Sequence, residues 1–467
     1  MLLISKNRRD YILSHLKRHY QKNSIIDNAI VFAFQGSKVN SLCDNYKSKI
    51  IFKISDRDSP LDKPFWLDIK QRKIPVLFPL SSSKKPFFID KDKNLIFNHD
   101  FLSSAFYFIA SVEEYNCDEK DFAGRFPFKR SLQYRLNIVD IPVVNYYFDI
   151  ILQGFTLYAK MHNFKFEERR MFDNFCFFLS HDVDRVAFFS IRETLFKLKQ
   201  LIGLAPLYYN RGLTFKLFLK GLRFNMTPFR DRDPWWNFDY LISVEKALKI
   251  RSTYYFLNRS GKNKDARYSF KNKKVAFLIE RLNIEGFETS LHGSFDSVNN
   301  AQLLNSEKEK FKRYTGVTPV GIRQHYLRFN YPGTFKIQKE AGFKYDTTLG
   351  FAEHEGFRNG YCYPFKPYDL NNDREIDIVE IPLVVMDVTV LNYRGLCYSK
   401  ITDSTISLID EVEKFGGLFS LLWHNCRLDE YLYPGIYNYY CSLLKLICDK
   451  KPQNFTGKEI ADRYNQL

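Results

Sequence analysis

The chain has 467 residues, 45% of them hydrophobic, which is enough apolar material for large cores and a length that suggests two or three domains. Its formal net charge of +17 is scattered among acids and aromatics, with no basic tail, arginine-rich helix or recognisable module, so no nucleic-acid partner is expected. There is no transmembrane segment, because no apolar run reaches about 18 residues, and Met1 to His19 is broken by Lys6, Arg8, Arg9, Asp10 and Lys17, unlike a signal peptide; a cytoplasmic location is expected.

Residues 1–168 read as a smaller N-terminal α/β domain of no identifiable chemistry. The pattern predicts helices at 11–20 and 141–158, strands at 29–34, 50–54 and 74–78, and a strand leading into a helix over 95–107. His15 and His19 share a helix face, but the basic residues around them favour a solvated face, and with His99 they form no metal-like cluster. The eight cysteines, Cys43 among them, show no pair at the spacing of a zinc knuckle or redox motif, which fits a reducing compartment.

From 169 to 467 strands alternate with helices, the pattern of an α/β sheet or barrel. Strands are predicted at 175–179, 252–257, 287–291, 321–326, 344–349, 378–385 and 418–423. The stretch 188–230, rich in Leu, Phe, Lys and Arg, interrupts the rhythm as a basic helical insertion beside the mouth, and its simplest role is packing or surface rather than membrane contact.

The chemistry lies at strand ends. The run Phe175-Cys176-Phe177-Phe178-Leu179 leads into Ser180-His181-Asp182-Val183-Asp184, and four more segments end in polar residues: Leu291-His292, Ile322-Arg323-Gln324-His325, Tyr345-Asp346 and Leu422-Trp423-His424. Parallel β/α architectures gather the carboxyl ends of their strands at one rim, so these residues form one candidate site. Asp and neutral His suit a divalent metal of zinc type, and a hydrolase leaves one position open for water. Phosphoryl transfer would need a glycine-rich phosphate loop that the chain lacks.

These residues resemble the polysaccharide deacetylases of carbohydrate esterase family 4, the NodB-homology type, and the phrases together look like an uncharacterised bacterial branch with an extra N-terminal domain. The resemblance covers roughly residues 170 to 450. It implies an irregular (β/α) barrel of seven or eight strands. By it, Asp182 is the catalytic base, Asp184 and His292 are metal ligands, Arg323 orients the base and His424 is the acid. Two departures stand out: Asp296 occupies the position of the family's second metal histidine, and His325 replaces a proline, making Asp296 and His325 rival third ligands. Tyr326, Trp423 and Phe351 are the candidate surfaces for a sugar ring. The branch would also fold Gly356 to Gly360, together with Tyr363-Pro364-Phe365, as a loop over the mouth.

The resemblance implies a hydrolase with a divalent metal, zinc first among the candidates, that removes an acetyl or other acyl group from an N-acylated amino sugar or polysaccharide. The alternative is an inactive deacetylase-like barrel that binds glycans or assists polysaccharide assembly. The glycan, the acyl group and the oligomeric state stay open.

Overall fold

The computed structural model describes residues 5–34, 48–227, 233–259 and 264–466; Cys43 and positions 228–230 lie outside the described residues. The N-terminal strands are β1 (Ile30–Phe34), β2 (Ile50–Ile54), β3 (Phe65–Ile69), β4 (Arg72–Val76), β5 (Phe87–Ile89) and β6 (Leu95–Phe97). They form a sheet ordered β1-β2-β6-β5 and an antiparallel β3-β4 hairpin. That hairpin turns on Lys70 and Gln71, both at positive φ (46° and 66°), without the Asn-Gly pair that would announce it in a sequence. Helices Phe101–Ile109 and Val143–Met161 carry the apolar faces against which these strands pack.

The C-terminal strands are β7 (Cys176–Val183), β8 (Thr253–Leu257), β9 (Glu288–Gly293), β10 (Gly321–Gln324), β11 (Tyr345–Asp346), β12 (Tyr368–Asp369), β13 (Arg374–Glu375), β14 (Val379–Glu380), β15 (Val385–Met386), β16 (Leu418–Leu422) and β17 (Gln453–Asn454). The large sheet runs β14-β11-β10-β9-β8-β7-β16-β15 with every pairing parallel, and β17 adds to β7. Every residue of β7 is buried, as expected of a strand covered on both faces. The two edge strands, β14 and β15, are separated by only residues 381–384, so the sheet must curl until its edges almost meet. Those four residues tie both sides: the Ile381 amide donates to the Asp346 carbonyl, and the Val384 amide donates to Ser420 Oγ at 2.8 Å. The single strand predicted over 378–385 is thus two short ones, split where Pro382 cannot donate to a ladder.

The N-terminal elements share the barrel's core. One cluster of buried side chains extends from Tyr11 to Tyr464, and Tyr146 Oη donates to Glu411 Oε2 at 2.7 Å across the junction. The solvated face predicted for His15 and His19 is corrected here: both are buried, His15 edge-on to Tyr11 and His19 Nε2 2.9 Å from Tyr361 Oη. Burial lowers both imidazoles, His19 to about 3, so the helix Lys6–Leu16 and the turn after it bury uncharged rings, with Arg8 buried beside them in a pair with Asp373 at 2.8 Å.

Gly356 to Gly360 is also corrected. The segment is buried against the N-terminal elements, the Phe357 amide donating to the Val139 carbonyl and Arg358 pairing with Glu114 at 2.8 Å. Gly356 has φ 127°, and a Cβ there would lie 2.2 Å from the Val139 oxygen, so only glycine allows this approach.

Asp346 serves the fold. It accepts from Thr348 Oγ1 at 2.7 Å and Gln338 Nε2 at 2.8 Å, and lies in register with Glu380 on β14. Burial first, and then each other's charge, raises the Glu380 carboxyl well above its ordinary value; burial also raises Asp346. A raised Glu380 carboxyl keeps a proton that the unfolded chain gives up more readily, so this contribution to stability is lost as pH rises past the ordinary carboxylate range. Glu380→Gln supplies a permanent N–H in that proton's place. Thermal melts are expected to show the variant a few degrees more stable than wild type at pH 8 and no more stable at pH 4; equal melting at pH 8 would refute the raised Glu380 carboxyl.

Candidate functional site

Alternation along β7 sorts its motif. Ser180 and Asp182 face Arg323, while His181 points the other way, to the helix Phe238–Ala247, with Nε2 2.9 Å from Glu245 Oε1 and Nδ1 2.7 Å from the Trp423 carbonyl. His181 is therefore a core group, joined to Glu245 together with Ser252 and Tyr254.

Arg323, on β10, is completely buried. Its Nη1 donates to Asp182 Oδ1 at 2.8 Å, Nη2 to Ser180 Oγ at 3.0 Å, and Nε to the Thr347 carbonyl at 2.9 Å, while its plane lies over Tyr255. Burial opposes ionisation of Asp182, but Arg323, then His292 and His424, outweigh it and hold the carboxyl below its ordinary value.

Asp184, just beyond β7, meets two histidines. His292 Nε2 lies 3.4 Å from Asp184 Oδ1 and His325 Nε2 lies 3.6 Å from Oδ2. One donor atom from each of the three falls within 4.8 Å of the others. Both imidazoles are oriented from behind: His292 Nδ1 is 2.8 Å from the Arg323 carbonyl and His325 Nδ1 is 3.2 Å from Asp265 Oδ1. With Nδ1 engaged from behind, each ring turns its Nε2 toward Asp184, the orientation that metal-ligating histidines take. Asp184 Oδ1 is buried and accepts no hydrogen bond from the described residues. A carboxylate oxygen without a donor, flanked by two aimed imidazoles, fits a divalent cation.

Asp296 stands apart from this trio. Its carboxylate is 38% exposed and lies 3.9 Å from Arg328 Nη1. Nor does it cap the following helix, Ala301–Thr315, which takes its cap from Asn300.

Beside the trio, His424 lies just beyond β16. Its Nδ1 is 2.7 Å from Asp387 Oδ1 and its backbone N–H donates to Asp387 Oδ2 at 2.7 Å, leaving Nε2 3.9 Å from Asp182 and 3.7 Å from Asp184. Burial alone would lower the imidazolium, but Asp387, with Asp184 and Asp182 behind it, raises it to about 9. Asp387 was not among the predicted residues. It directly follows β15, so it has the same signature of an apolar strand ending in a carboxylate, hidden because 378–385 read as one strand.

These groups line a cavity of about 210 Å³. Tyr326 is on its wall, 40% exposed. The other two aromatic candidates are corrected: Trp423 is fully buried against Tyr440, and Phe351 is buried against Phe128 away from this cavity. The turn carrying His325 and Tyr326 places Tyr326 and Leu327 at positive φ (62° and 52°). It is held by Arg125, whose Nη1 donates to the Tyr326 carbonyl at 2.8 Å and whose Nη2 donates to Tyr393 Oη at 3.0 Å, anchored by Asp121. No strand-end pattern marks Arg125 or Asp265, and no sequence signal singles them out.

Residues 3–157 match a family of unknown function, DUF7033. No protein of curated function matches the chain. Among solved structures it is similar, over 63% of its length, to a putative polysaccharide deacetylase from Mycobacterium smegmatis, at 17% identity and TM-score 0.41 with 92% of that chain covered. It is similar over the same share, at 13% identity and TM-score 0.41, to a probable polysaccharide deacetylase from Pseudomonas aeruginosa PAO1 and to Puue allantoinase, with 91% of each covered.

Proposed function

We propose that this chain is a metal-dependent hydrolase of the polysaccharide deacetylase type, removing an acetyl or other acyl group from the nitrogen of an amino sugar. The observation that carries this reading is the arrangement around one cavity: a trio with the donor chemistry for a cation, an oriented carboxylate on one side and an oriented imidazole on the other.

Asp184, His292 and His325 would hold the ion, with zinc as the expected metal. When bound, it supplies polarisation of the acyl oxygen and acidification of a water. Asp182 Oδ2 is the carboxylate oxygen left free of the Arg323 contact and serves as the base that takes the water's proton. Arg323 fixes the rotamer of that base through Asp182 Oδ1. His424, its Nδ1–H committed to Asp387, presents Nε2 to the cavity and gives a proton to the departing nitrogen. Tyr326 offers the ring surface on which a sugar would rest. In this reading residues 169–467 carry the reaction, and 1–168 support its rim through Arg125.

Metal analysis of purified protein is expected to find about one equivalent per chain in wild type, retained in Asp296→Ala and lost in His325→Ala and His292→Ala. Retention by His325→Ala with loss in Asp296→Ala would reverse the assignment of the third ligand. Asp182→Asn keeps an acceptor for Arg323, whereas Asp182→Ala would strand a buried guanidinium at about 3–5 kcal/mol. The asparagine variant is expected to keep its metal and lose measurable acetate release from N-acetylated oligosaccharides. Asp387→Asn should lower kcat by about two orders of magnitude with little change in KM, as expected of a group that acts through the acid. Wild-type protein that binds glycan but is metal-free and releases no acetate would instead favour the sugar-binding alternative.

A further inference from the structure

The insertion that follows Asp184 forms two helices, Ile191–Leu201 and Arg211–Met226. An amphipathic helix on a folded domain ordinarily turns its apolar stripe inward. Here the first helix does the reverse, and the second carries apolar side chains outward as well as inward. Ile191, Leu195, Leu198 and Ile202, spaced four, three and four apart, are all exposed on the first. Phe215, Leu219, Leu222 and Met226, at the same spacing, are all exposed on the second, Met226 to 80%. The connecting turn adds exposed Leu204, Leu207 and Tyr208.

Inward, the first helix buries the polar Glu193, Thr194, Lys197 and Gln200, and the second sets Leu213, Leu217 and Phe224 into an aromatic cluster, so its exposed stripe is a second apolar face. Thr194 meets Gly221 so closely that a Cβ on that glycine would lie 2.4 Å from Thr194 Oγ1, and only Leu217 is a fully buried apolar side chain on the second helix. The pair is nevertheless anchored. Phe188, Phe189 and Leu217 pack with Trp235 and Tyr431, and Tyr209 Oη donates to Asp429 Oδ2 at 2.7 Å. The exposed stripes are therefore a property of a seated hairpin.

Charge selects what would cover them. Arg192, Lys199, Arg211, Lys216, Lys220 and Arg223 are exposed among the apolar residues. Glu193 is the sole acid between 191 and 227, and it is buried between Arg185 and Arg267. A second copy would set six cations against six. An anionic lipid surface accepts both components at once, apolar side chains among the acyl chains and cations at the headgroups. No described helix is long and apolar enough to cross a membrane, so the hairpin would lie on the surface.

We infer that the hairpin 191–226 docks this chain on an anionic membrane surface. The same hairpin reaches the cavity wall through the Arg185–Glu193 pair at 2.8 Å, so docking would hold the cavity beside the headgroups.

Flotation of the full chain with unilamellar vesicles tests this, comparing phosphatidylcholine alone with phosphatidylcholine containing phosphatidylglycerol. Binding is expected with the anionic vesicles only, falling as salt rises from about 0.05 to 0.5 M. The triple variant Leu195→Gln, Phe215→Gln, Leu219→Gln removes apolar contact and leaves every charge; it should bind at least about tenfold more weakly with unchanged thermal melting, because all three side chains are exposed. Metal content and acetate release from soluble oligosaccharides should be the same in this variant, so failure of the docking and failure of the proposed hydrolysis are separately visible. Absence of wild-type binding at low salt, equal binding by the variant, or a dimer in light scattering that the variant abolishes would each overturn the proposal.

Discussion

The guanidinium of Arg323 is the point about which the barrel's carboxyl rim is organised. A charge with no solvent contact is tolerated only when it is paired and every N–H direction has an acceptor. Asp182 supplies the paired charge, and Asp182 and Ser180 from β7 with Thr347 after β11 accept four hydrogen bonds from the guanidinium on three sides. Because Arg323 sits on β10, separated from β7 by β9 and β8, satisfying it fixes the curl of the sheet as well as the rotamer of the carboxylate. Its backbone carbonyl then accepts from His292, so one residue orients both the Asp182 carboxylate and the His292 ring.

The same logic recurs at the other titratable groups. His325 leans on Asp265, and His424 leans on Asp387 through both its ring and its backbone N–H. In each case a buried carboxylate behind the ring decides which nitrogen faces the cavity. The N-terminal elements take part in this arrangement, since Arg125 clamps the left-handed turn that carries His325 and Tyr326. The turn is thus held from outside the barrel.

Much of this was legible because buried parallel strands read as apolar runs, and a charge at the end of such a run has few places to go. Asp182, Asp184, His292, Arg323 and His424 all carry that mark. Asp387 carries it too, but β15 is two residues long and merges in the sequence with β14 across Pro382. The choice between Asp296 and His325 had no local signature, because both lie in turns beyond their strands, where spacing does not set direction. Trp423 and Phe351 were misplaced for a related reason: aromatic character says that a side chain is large and apolar, and the face of the strand or loop decides whether it lines a cavity or fills a core. The helices of the insertion have ordinary amphipathic spacing, and nothing in that spacing says which stripe is outward.

What the sequence by itself determined is the order of strands and helices, the periodicity that puts alternate side chains on opposite faces, and the identity of the groups delivered to one rim. What only the tertiary structure decided is which of those groups meet. Asp184 and His325 are 141 positions apart in the chain, and their approach to 3.6 Å depends on how far a sheet of parallel strands bends before its edges are tied by residues 381–384. That bend is a sum of packing over the whole core, and no short stretch of residues encodes it.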